Sequence, residues 1–253
     1  MFDPFEDFAE KGYLRNRQGE HDLRVVKEVE HALFVVHLPE AQQFLSRRRH
    51  IQYAEVLRVH EILFSELYPW AGQDRRQVAP EIAVKKGDVI FAHPAAAQRA
   101  VEWALESGRK QSHMRAHPGE VMGHLAFGHP FLDGNGRTLL LVHSELCSRA
   151  GFSIDWPRTK KADYLTALTK EIESPGKDIL DAFLKPFVGA VLDGEALAGR
   201  MLAIKGLDGL QDEDQESASF ADPAVMEDYR RFESSRGYSY EEVRKGTDRD
   251  TKP

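Results

Sequence analysis

The chain has 253 residues, of which 42% are hydrophobic and 30% are charged, and it carries a formal net charge of −7. These values exclude a fibrous or intrinsically disordered protein and are typical of a folded chain with one substantial core. The charge is uneven, because the segment from Gly206 to the end holds 13 acidic against 7 basic residues. The rest of the chain is therefore close to neutral, which argues against a general nucleic-acid-binding protein.

The sequence shows no sign of a membrane-spanning or secretory segment. No window approaches the roughly 18 consecutive apolar residues that a membrane-spanning helix needs. The acidic stretch at residues 1–7 lacks the basic and apolar regions of a signal peptide. The single cysteine, Cys147, cannot form an internal disulfide. We therefore expect a cytoplasmic protein without a membrane partner.

The first part of the chain predicts an arm and two helices. The arm contains the sequence Tyr13–Asn16. A helix that ends before Pro39 is predicted by apolar residues that recur at helical spacing, namely Leu23, Val26, Val29, Leu33 and Val36. A second helix is predicted between Ile51 and Leu67, because Pro69 would end it.

The segment at 82–91 is the only convincing β signal in the sequence. Apolar residues alternate on both sides of Lys85–Asp88, a turn that contains a glycine, and this pattern predicts a short hairpin. Pro94 and Pro118 each suit the first position of a further helix.

The segment after residue 137 predicts a central helix, because residues 138–150 are apolar almost all round. Two more helices are predicted at about 160–173 and 177–204. Residues 211–219 predict a solvated linker. One short amphipathic helix is predicted after it by Val225, Tyr229 and Phe232, and we expect the last dozen residues to be disordered. The fold class is therefore mainly α, a helical bundle with one β-hairpin. We expect a body of residues 1–205 and an acidic, partly disordered C-terminal extension of residues 206–253.

The nine residues from 129 to 137 combine groups that suit phosphate chemistry. The sequence Gly134–Gly136 lets consecutive backbone N–H groups form an anion-binding nest, which the N-terminus of the next helix reinforces. Asp133 places a hard oxygen ligand, suited to Mg²⁺, beside that nest. Arg137 can bind phosphate through two N–H donors, and His129 can take a proton from an incoming hydroxyl. This loop predicts a site for attack on a Mg²⁺-bound polyphosphate.

The string HPFLDGNGR, from His129 to Arg137, resembles the signature of the Fic (filamentation induced by cAMP) family. The resemblance covers about residues 10–190. Further features match the family, and these are the Tyr13–Asn16 arm, the Pro69–Gly72 loop followed by Arg75 and Arg76, the hairpin ahead of the signature, and Tyr164 with Leu165. The resemblance implies a Fic-type helical bundle.

The resemblance also implies an activity, the transfer of AMP from ATP to a Tyr, Thr or Ser hydroxyl of a target protein. By motif position, His129 would deprotonate the target hydroxyl, and Asp133 would hold Mg²⁺ on the α and β phosphates. Asn135 would stabilise the α-phosphate, together with the N–H groups of Gly134 and Gly136.

The same resemblance implies roles at the two ends of the site. Arg137 would bind the distal phosphates of the nucleotide. The hairpin from about Val84 to Phe91 corresponds to a flap, which would clamp a segment of the target protein by strand addition. The implied partners are ATP with Mg²⁺ and a protein substrate, without direct nucleic-acid contact.

Position 140 departs from the pattern of many Fic AMP-transferases, which carry a second arginine three residues after the first. With Leu140 at this position, a contact to the γ-phosphate is missing. Other activities therefore stay open, namely a Fic-fold kinase or a transferase of UMP or phosphocholine. Gly134 and Gly136 argue against the kinase branch, whose motifs have alanine and lysine there. The intact signature argues against an inactive binding module, so AMP transfer is the leading hypothesis.

The inhibitory motif of many Fic proteins is absent from the sequence. That motif places a Glu directly before Gly or Asn, and no Glu of this chain has such a neighbour. Either a separate small antitoxin-like protein supplies the motif, or inhibition works differently, or the chain is not inhibited. We favour the separate protein, with this chain as the toxin of the pair. The extension from Gly206 onward is interpreted as a solvated segment rather than a docking or targeting segment.

Overall fold

The computed structural model describes residues 14–207 and 216–237. Tyr13 of the predicted arm, residues 211–215 of the predicted linker and the last dozen residues lie outside these ranges. The described chain is mainly α-helical with a few short strands, which confirms the predicted fold class. None of the helices in these ranges is long and apolar enough to cross a bilayer.

The regular elements of the described ranges are α1 Leu23–Ser46, α2 Tyr53–Phe64, α3 Arg75–Val78, β1 Ile82–Lys86, β2 Val89–Ile90, α4 Pro94–Arg109, α5 Gln111–Ala116, α6 Pro118–Gly128, α7 Asn135–Arg149, β3 Ser153–Ile154, α8 Lys161–Glu173, α9 Ile179–Leu184, β4 Val188–Gly189, α10 Gly194–Leu202, β5 Glu216–Ser219 and α11 Pro223–Ser235. Two short 3-10 helices add Trp156–Arg158 and Lys185–Phe187.

Helix α7 is the centre of the body, as the sequence predicts. Every residue from 138 to 147 is buried, and helices α1, α2, α4, α5 and α6 all contact α7. Since α7 begins at Asn135, the signature loop (residues 129–137) is held where these helices meet.

The first helix is longer than the sequence predicts, because α1 continues through Pro39 to Ser46. A proline inside a helix removes the hydrogen bond to the carbonyl four residues earlier. That residue is Val35, which is 37% exposed, so the missing bond falls on the outer side of α1. The turns beyond Pro39 bury Ala41 and Leu45, and this packing stabilises the continued helix.

The predicted hairpin is confirmed as the antiparallel pair β1 and β2, with Gly87 in the turn at a φ of 56°. We call residues 82–91 the flap. The predicted solvated linker is wrong over residues 216–219, because this stretch forms β5 and pairs with β1 along its other edge. The sheet order is therefore β2-β1-β5. The amphipathic helix predicted around Tyr229 is confirmed as α11.

The prediction of one helix over 177–204 is wrong. The segment instead holds α9, a 3-10 turn, the strand β4 and α10. Pro186 lies in the 3-10 turn, where its missing N–H prevents a continued α-helix. Strand β4 pairs with β3, so the flap is not the only β structure of the body.

Candidate active site

One cavity of about 260 Å³ lies between the flap, the signature loop and α8. A cavity of this size can enclose much of a small ligand. The six residues that the sequence selects as site residues all line it, and these are His129, Asp133, Gly134, Asn135, Gly136 and Arg137. The structure therefore brings the whole predicted set together at one place.

The backbone of the signature loop turns sharply at its two ends. His129 ends α6 in the left-handed region, with φ 41°, a conformation that is uncommon for residues other than glycine. Gly134 precedes α7 with φ 75°. A Cβ on Gly134 would lie 2.6 Å from the Phe64 ring, whereas a Cβ on Gly136 would meet nothing within 4 Å. Gly134 is thus required by the fold, and the space beside Gly136 is free to accept a ligand.

Asn135 fastens the loop to itself. Its side-chain Oδ1 accepts from Phe131 N at 2.9 Å, and its Nδ2 donates to Phe131 O at 2.7 Å. The backbone N–H groups of the first turn of α7 have no acceptor within the helix. Together with the positive end of the helix dipole they form an anion-binding end that faces the cavity.

The imidazole of His129 lies against the flap. Its ring stacks on Phe91, with the centroids 3.9 Å apart and the planes 16° from parallel. The ring is largely buried, yet His129 lines the cavity. The flap thus sets the orientation of the predicted base.

Arg75 connects the signature loop to the flap. Its Nε donates to His129 O at 2.7 Å, and its two terminal nitrogens donate to Ile82 O at 3.3 Å and Ala92 O at 2.6 Å. The side chain is fully buried, and burial lowers the pKa of its guanidinium to about 10. Arg75 therefore remains charged at neutral pH. Its buried side chain connects the signature loop and the flap, which are two walls of the cavity.

Asp133 is held by a cation from α1. Its Oδ2 accepts from Lys27 Nζ in a very short contact, and its Oδ1 accepts from Gly134 N at 2.7 Å. Burial alone would raise the pKa of Asp133, but Lys27 and Arg137 outweigh it and hold this pKa below its usual range. Asp133 is thus ionised at neutral pH, as a ligand for a hard cation must be. Its side chain is 27% exposed, so its oxygens remain within reach of the cavity.

Arg137 is paired with a buried glutamate of α1. Its guanidinium lies 2.5 Å from Glu30, whose side chain is fully buried, and Glu30 also lies 3.2 Å from Lys27. The Tyr68 hydroxyl bonds the same carboxylate. Two cations and two carboxylates therefore form one linked cluster, Lys27 with Asp133 and Glu30 with Arg137, which fixes both predicted phosphate-site side chains.

His60 supports the loop from below. Its ring stacks on Phe131 at 3.8 Å. Because Nδ1 accepts from Gly72 N at 2.9 Å, the proton lies on Nε2, which donates to Asp133 O at 3.0 Å. Burial lowers the pKa of His60 to about 3, so the ring is neutral at physiological pH.

Four of these residues were missed as site residues by the sequence interpretation, namely Lys27, Glu30, His60 and Arg75. His60 carries a readable signal, because it lies on the apolar face of α2, four residues after Val56. Arg75 follows Asp74, the N-cap of α3, but nothing in the sequence indicates its carbonyl partners. Lys27 and Glu30 look like an exposed charged pair at i and i+3.

Position 140 also lies in the site. Leu140 lines the cavity, one turn after Arg137 on α7. Its apolar side chain therefore stands where a second arginine would reach the same ligand. The cavity otherwise offers a base, a carboxylate suited to Mg²⁺, an open cradle at Gly136 and an arginine, which together suit the transfer of a phosphate-linked group.

The Fic/DOC family model matches residues 50–147 of the chain. The chain is 27% identical over 192 residues to the protein adenylyltransferase VbhT of Bartonella schoenbuchensis. This alignment covers 72% of this chain and 38% of that protein. It is 26% identical over 166 residues to a protein of Sinorhizobium fredii described as a probable protein adenylyltransferase, which covers 62% of this chain and 82% of that protein. The chain thus spans well under half the length of the first relative.

Solved structures show the same fold. The BepC protein of Bartonella tribocorum, solved with bound AMPPNP, superposes with a TM-score of 0.59 at 21% identity over 71% of this chain and 93% of that one. The N-terminal Fic domain of a cell filamentation protein of Bartonella quintana, solved with bound ADP, gives a TM-score of 0.60 at 22% identity over 75% and 96%. Because these identities are low, the likeness establishes the fold alone.

Proposed function

Since the chain carries a Fic/DOC domain over residues 50–147, we propose that it is a protein adenylyltransferase, which transfers AMP from ATP to a Tyr, Thr or Ser hydroxyl of a target protein. The observation that carries the proposal is the convergence of His129, Asp133, Gly136 and Arg137 on one cavity. Two relatives named as adenylyltransferases, one of them as probable, support it.

In the proposed reaction the target oxygen attacks the α-phosphorus, its proton passes to His129, and pyrophosphate leaves. Because Phe91 stacks on His129, the imidazole stays aimed at the cavity. The backbone N–H groups of Asn135 and Gly136 at the start of α7 stabilise the charge that develops on the α-phosphate, whereas the Gly134 N–H donates to Asp133. Arg137 binds the distal phosphates. Asn135 holds the loop through Phe131.

Asp133 fits a Mg²⁺ ligand, because it is an ionised carboxylate beside the open cradle at Gly136. When bound, the metal would neutralise charge on the α and β phosphates. The same open cradle supports an α-phosphate at the nest and opposes the kinase alternative, in which a lysine at position 136 would fill this space.

A label-transfer experiment tests the proposal. The protein is incubated with cell lysate and ATP labelled at either the α or the γ phosphate, and the experiment is repeated with His129→Ala. We expect protein labelling from the α position, reduced at least about 100-fold in the variant. Labelling from γ alone would identify a kinase. If ATP gives no label while UTP or CDP-choline does, another group is transferred, and if no donor does, the binding-module alternative remains.

Two protein partners belong to this proposal. The target segment docks on the flap between Val84 and Phe91 by strand addition. A separate antitoxin-like protein inhibits the enzyme, and any carboxylate it brings to Arg137 must displace Glu30. Co-expression with small proteins encoded beside this chain, followed by the same label transfer, tests the second partner.

A further inference from the structure

The flap has two faces, and different parts of the chain cover them. Val84, Val89 and Phe91 pack on the body against Phe127 and Ile172. The opposite face turns two apolar side chains, Ala83 and Ile90, towards the C-terminal unit (residues 216–237, strand β5 and helix α11). There they pack with Phe220 and Tyr229. Without the C-terminal unit this apolar face would be open to water.

The C-terminal unit also closes one edge of the flap. Strand β5 pairs with β1 over four residues, from Ile82 opposite Ser219 to Lys85 opposite Glu216. The cavity lies on the other side, where Lys86, Val89 and Phe91 line it, and none of the described residues of the C-terminal unit does so. The edge of β2 lies on the cavity side. Ala92 N, just after β2, donates to Phe127 O at 3.0 Å, so Val89–Ile90 is the stretch of this edge that has no strand partner among the described residues.

The register fixes which backbone groups that edge presents. Phe91 N donates to Val84 O, so the alternation of an antiparallel ladder turns the N–H and C=O of Ile90 away from β1. The side chain of the same residue packs under α11. Helix α11 thus sets the position of the main-chain groups that a pairing strand would meet.

Two further side chains fasten the C-terminal unit to the body. The Tyr229 hydroxyl accepts from His93 N at 3.0 Å, two residues after the flap. Arg236 donates to Ile172 O, and its guanidinium lies 3.4 Å from the centroid of the Phe127 ring. Phe127 is two residues before His129, so these contacts reach the predicted base as well as the flap.

We propose that the C-terminal unit is a positioning element of target docking. It closes the β1 edge and covers the outer face of the flap, so that the β2 edge at Ile90 is the edge on which an extended segment of the target protein pairs. This inference rests on the proposed function and extends it, because it assigns a role to a segment beyond the matched domain.

A matched pair of proline variants in the full chain tests the proposal. Phe220 N donates to Glu81 O, and the alternation from this bond makes Ala218 a hydrogen-bonding position and points the Ser217 N–H away from β1. Ala218→Pro therefore removes a bond of the β1–β5 ladder, while Ser217→Pro keeps it, since proline is tolerated at outward positions of edge strands. Arg236→Met is a second variant, which leaves the strand pairing intact.

Three measurements are made on each variant: hydrogen exchange of the flap amides, binding of a fluorescent ATP analogue, and labelling of lysate proteins from α-labelled ATP. For Ala218→Pro we expect at least tenfold faster flap exchange and a tenfold higher lysate concentration for half-maximal labelling, with nucleotide affinity within twofold of the unmodified chain. Arg236→Met should change labelling in the same direction, and Ser217→Pro should match the unmodified chain.

Several results would overturn the inference. Unchanged flap exchange in Ala218→Pro would mean that β5 does not position the flap. Faster exchange with unchanged labelling would mean that the position of the flap does not affect target docking. Increased labelling would show that the C-terminal unit obstructs the target. If the unmodified chain transfers no label at all, the proposed function fails, while the exchange measurement still decides whether β5 positions the flap.

Discussion

The signature loop and the flap face each other across one cavity, but different kinds of contact hold them. The loop is fixed by buried polar groups, with Lys27 on Asp133, Glu30 on Arg137 and His60 on the Asp133 carbonyl. The flap is fixed by strand pairing with β5 and by apolar packing on both faces.

The difference follows from what each wall does in the proposed reaction. A buried hydrogen bond fixes the position and direction of one atom, and its loss leaves a polar group unsatisfied. Transfer chemistry needs such fixed atoms. Main-chain pairing fixes the position of a strand edge but depends little on the side chains of the strand that binds there. This suits a surface that binds a segment of another protein. Arg75 is the point where the two walls meet, because it bonds carbonyls of both.

Breaking that connection should have the largest effect. Arg75→Met leaves three carbonyl groups without their donor, two of them in buried hydrogen bonds, so we expect the free energy of unfolding to fall by about 3 to 5 kcal/mol. Label transfer should fall with it. The matched control is Arg76→Met, since Arg76 is exposed and its loss should change stability by less than about 0.5 kcal/mol. Urea unfolding measures both, and equal small losses would contradict the role of Arg75.

Two glycines of the loop separate folding from ligand binding. Gly134→Ala places a Cβ 2.6 Å from Phe64 at a positive φ, so it should destabilise the chain by about 2 kcal/mol. Gly136→Ala meets nothing within 4 Å and should raise helix stability by about 0.5 to 1 kcal/mol. If phosphate occupies that space, Gly136→Ala should nevertheless lose at least tenfold in nucleotide affinity, measured by titration with a fluorescent ATP analogue. Unchanged affinity would mean that no phosphate of the nucleotide binds in the space beside Gly136.

The loop was predictable from the sequence because its chemistry is local. Nine consecutive residues supply the base, the carboxylate, the nest and the arginine, and α7 carries them into the core. The residues that support them could not be identified in this way. Glu30 lies in a helix with polar neighbours at Lys27 and Glu28, and only the tertiary fold shows that its side chain is fully buried.

The flap shows the complementary limit of sequence reasoning. Alternating apolar residues around Gly87 predict the hairpin, and the structure confirms it. Its third strand was not predictable, since Glu216–Ser219 holds one apolar residue, Ala218, and pairs through main-chain atoms. Tyr229 did signal the following helix, but its partner His93 is 136 residues away. The pattern of apolar and polar side chains along one segment does not predict a strand that pairs through main-chain atoms with a strand far away in the sequence.

The support beneath the loop should depend on pH through His60. Its pKa is about 3 in the folded chain, against about 6.5 when unfolded. The unfolded state therefore binds a proton first as pH falls. The contribution of neutral His60 to the free energy of unfolding is complete above about pH 6.5, and about 2 kcal/mol of it is lost at pH 5. Urea unfolding at pH 7 and pH 5 measures the loss. His60→Gln should show a pH dependence smaller by that amount, and an unchanged dependence would contradict the assignment.

The smallest expected effect concerns the cation that faces Asp133. Lys27 occupies Asp133 Oδ2, and a bound Mg²⁺ would have to share this carboxylate with the ammonium, which repels it. Lys27→Met should therefore lower the Mg²⁺ concentration for half-maximal binding of the fluorescent ATP analogue several-fold, which corresponds to about 1 kcal/mol. Lys27→Arg keeps the charge and should stay near the unmodified chain. A higher Mg²⁺ requirement in Lys27→Met would show instead that Lys27 assists nucleotide binding directly, and α1 would then supply a second cation to the phosphates beside Arg137.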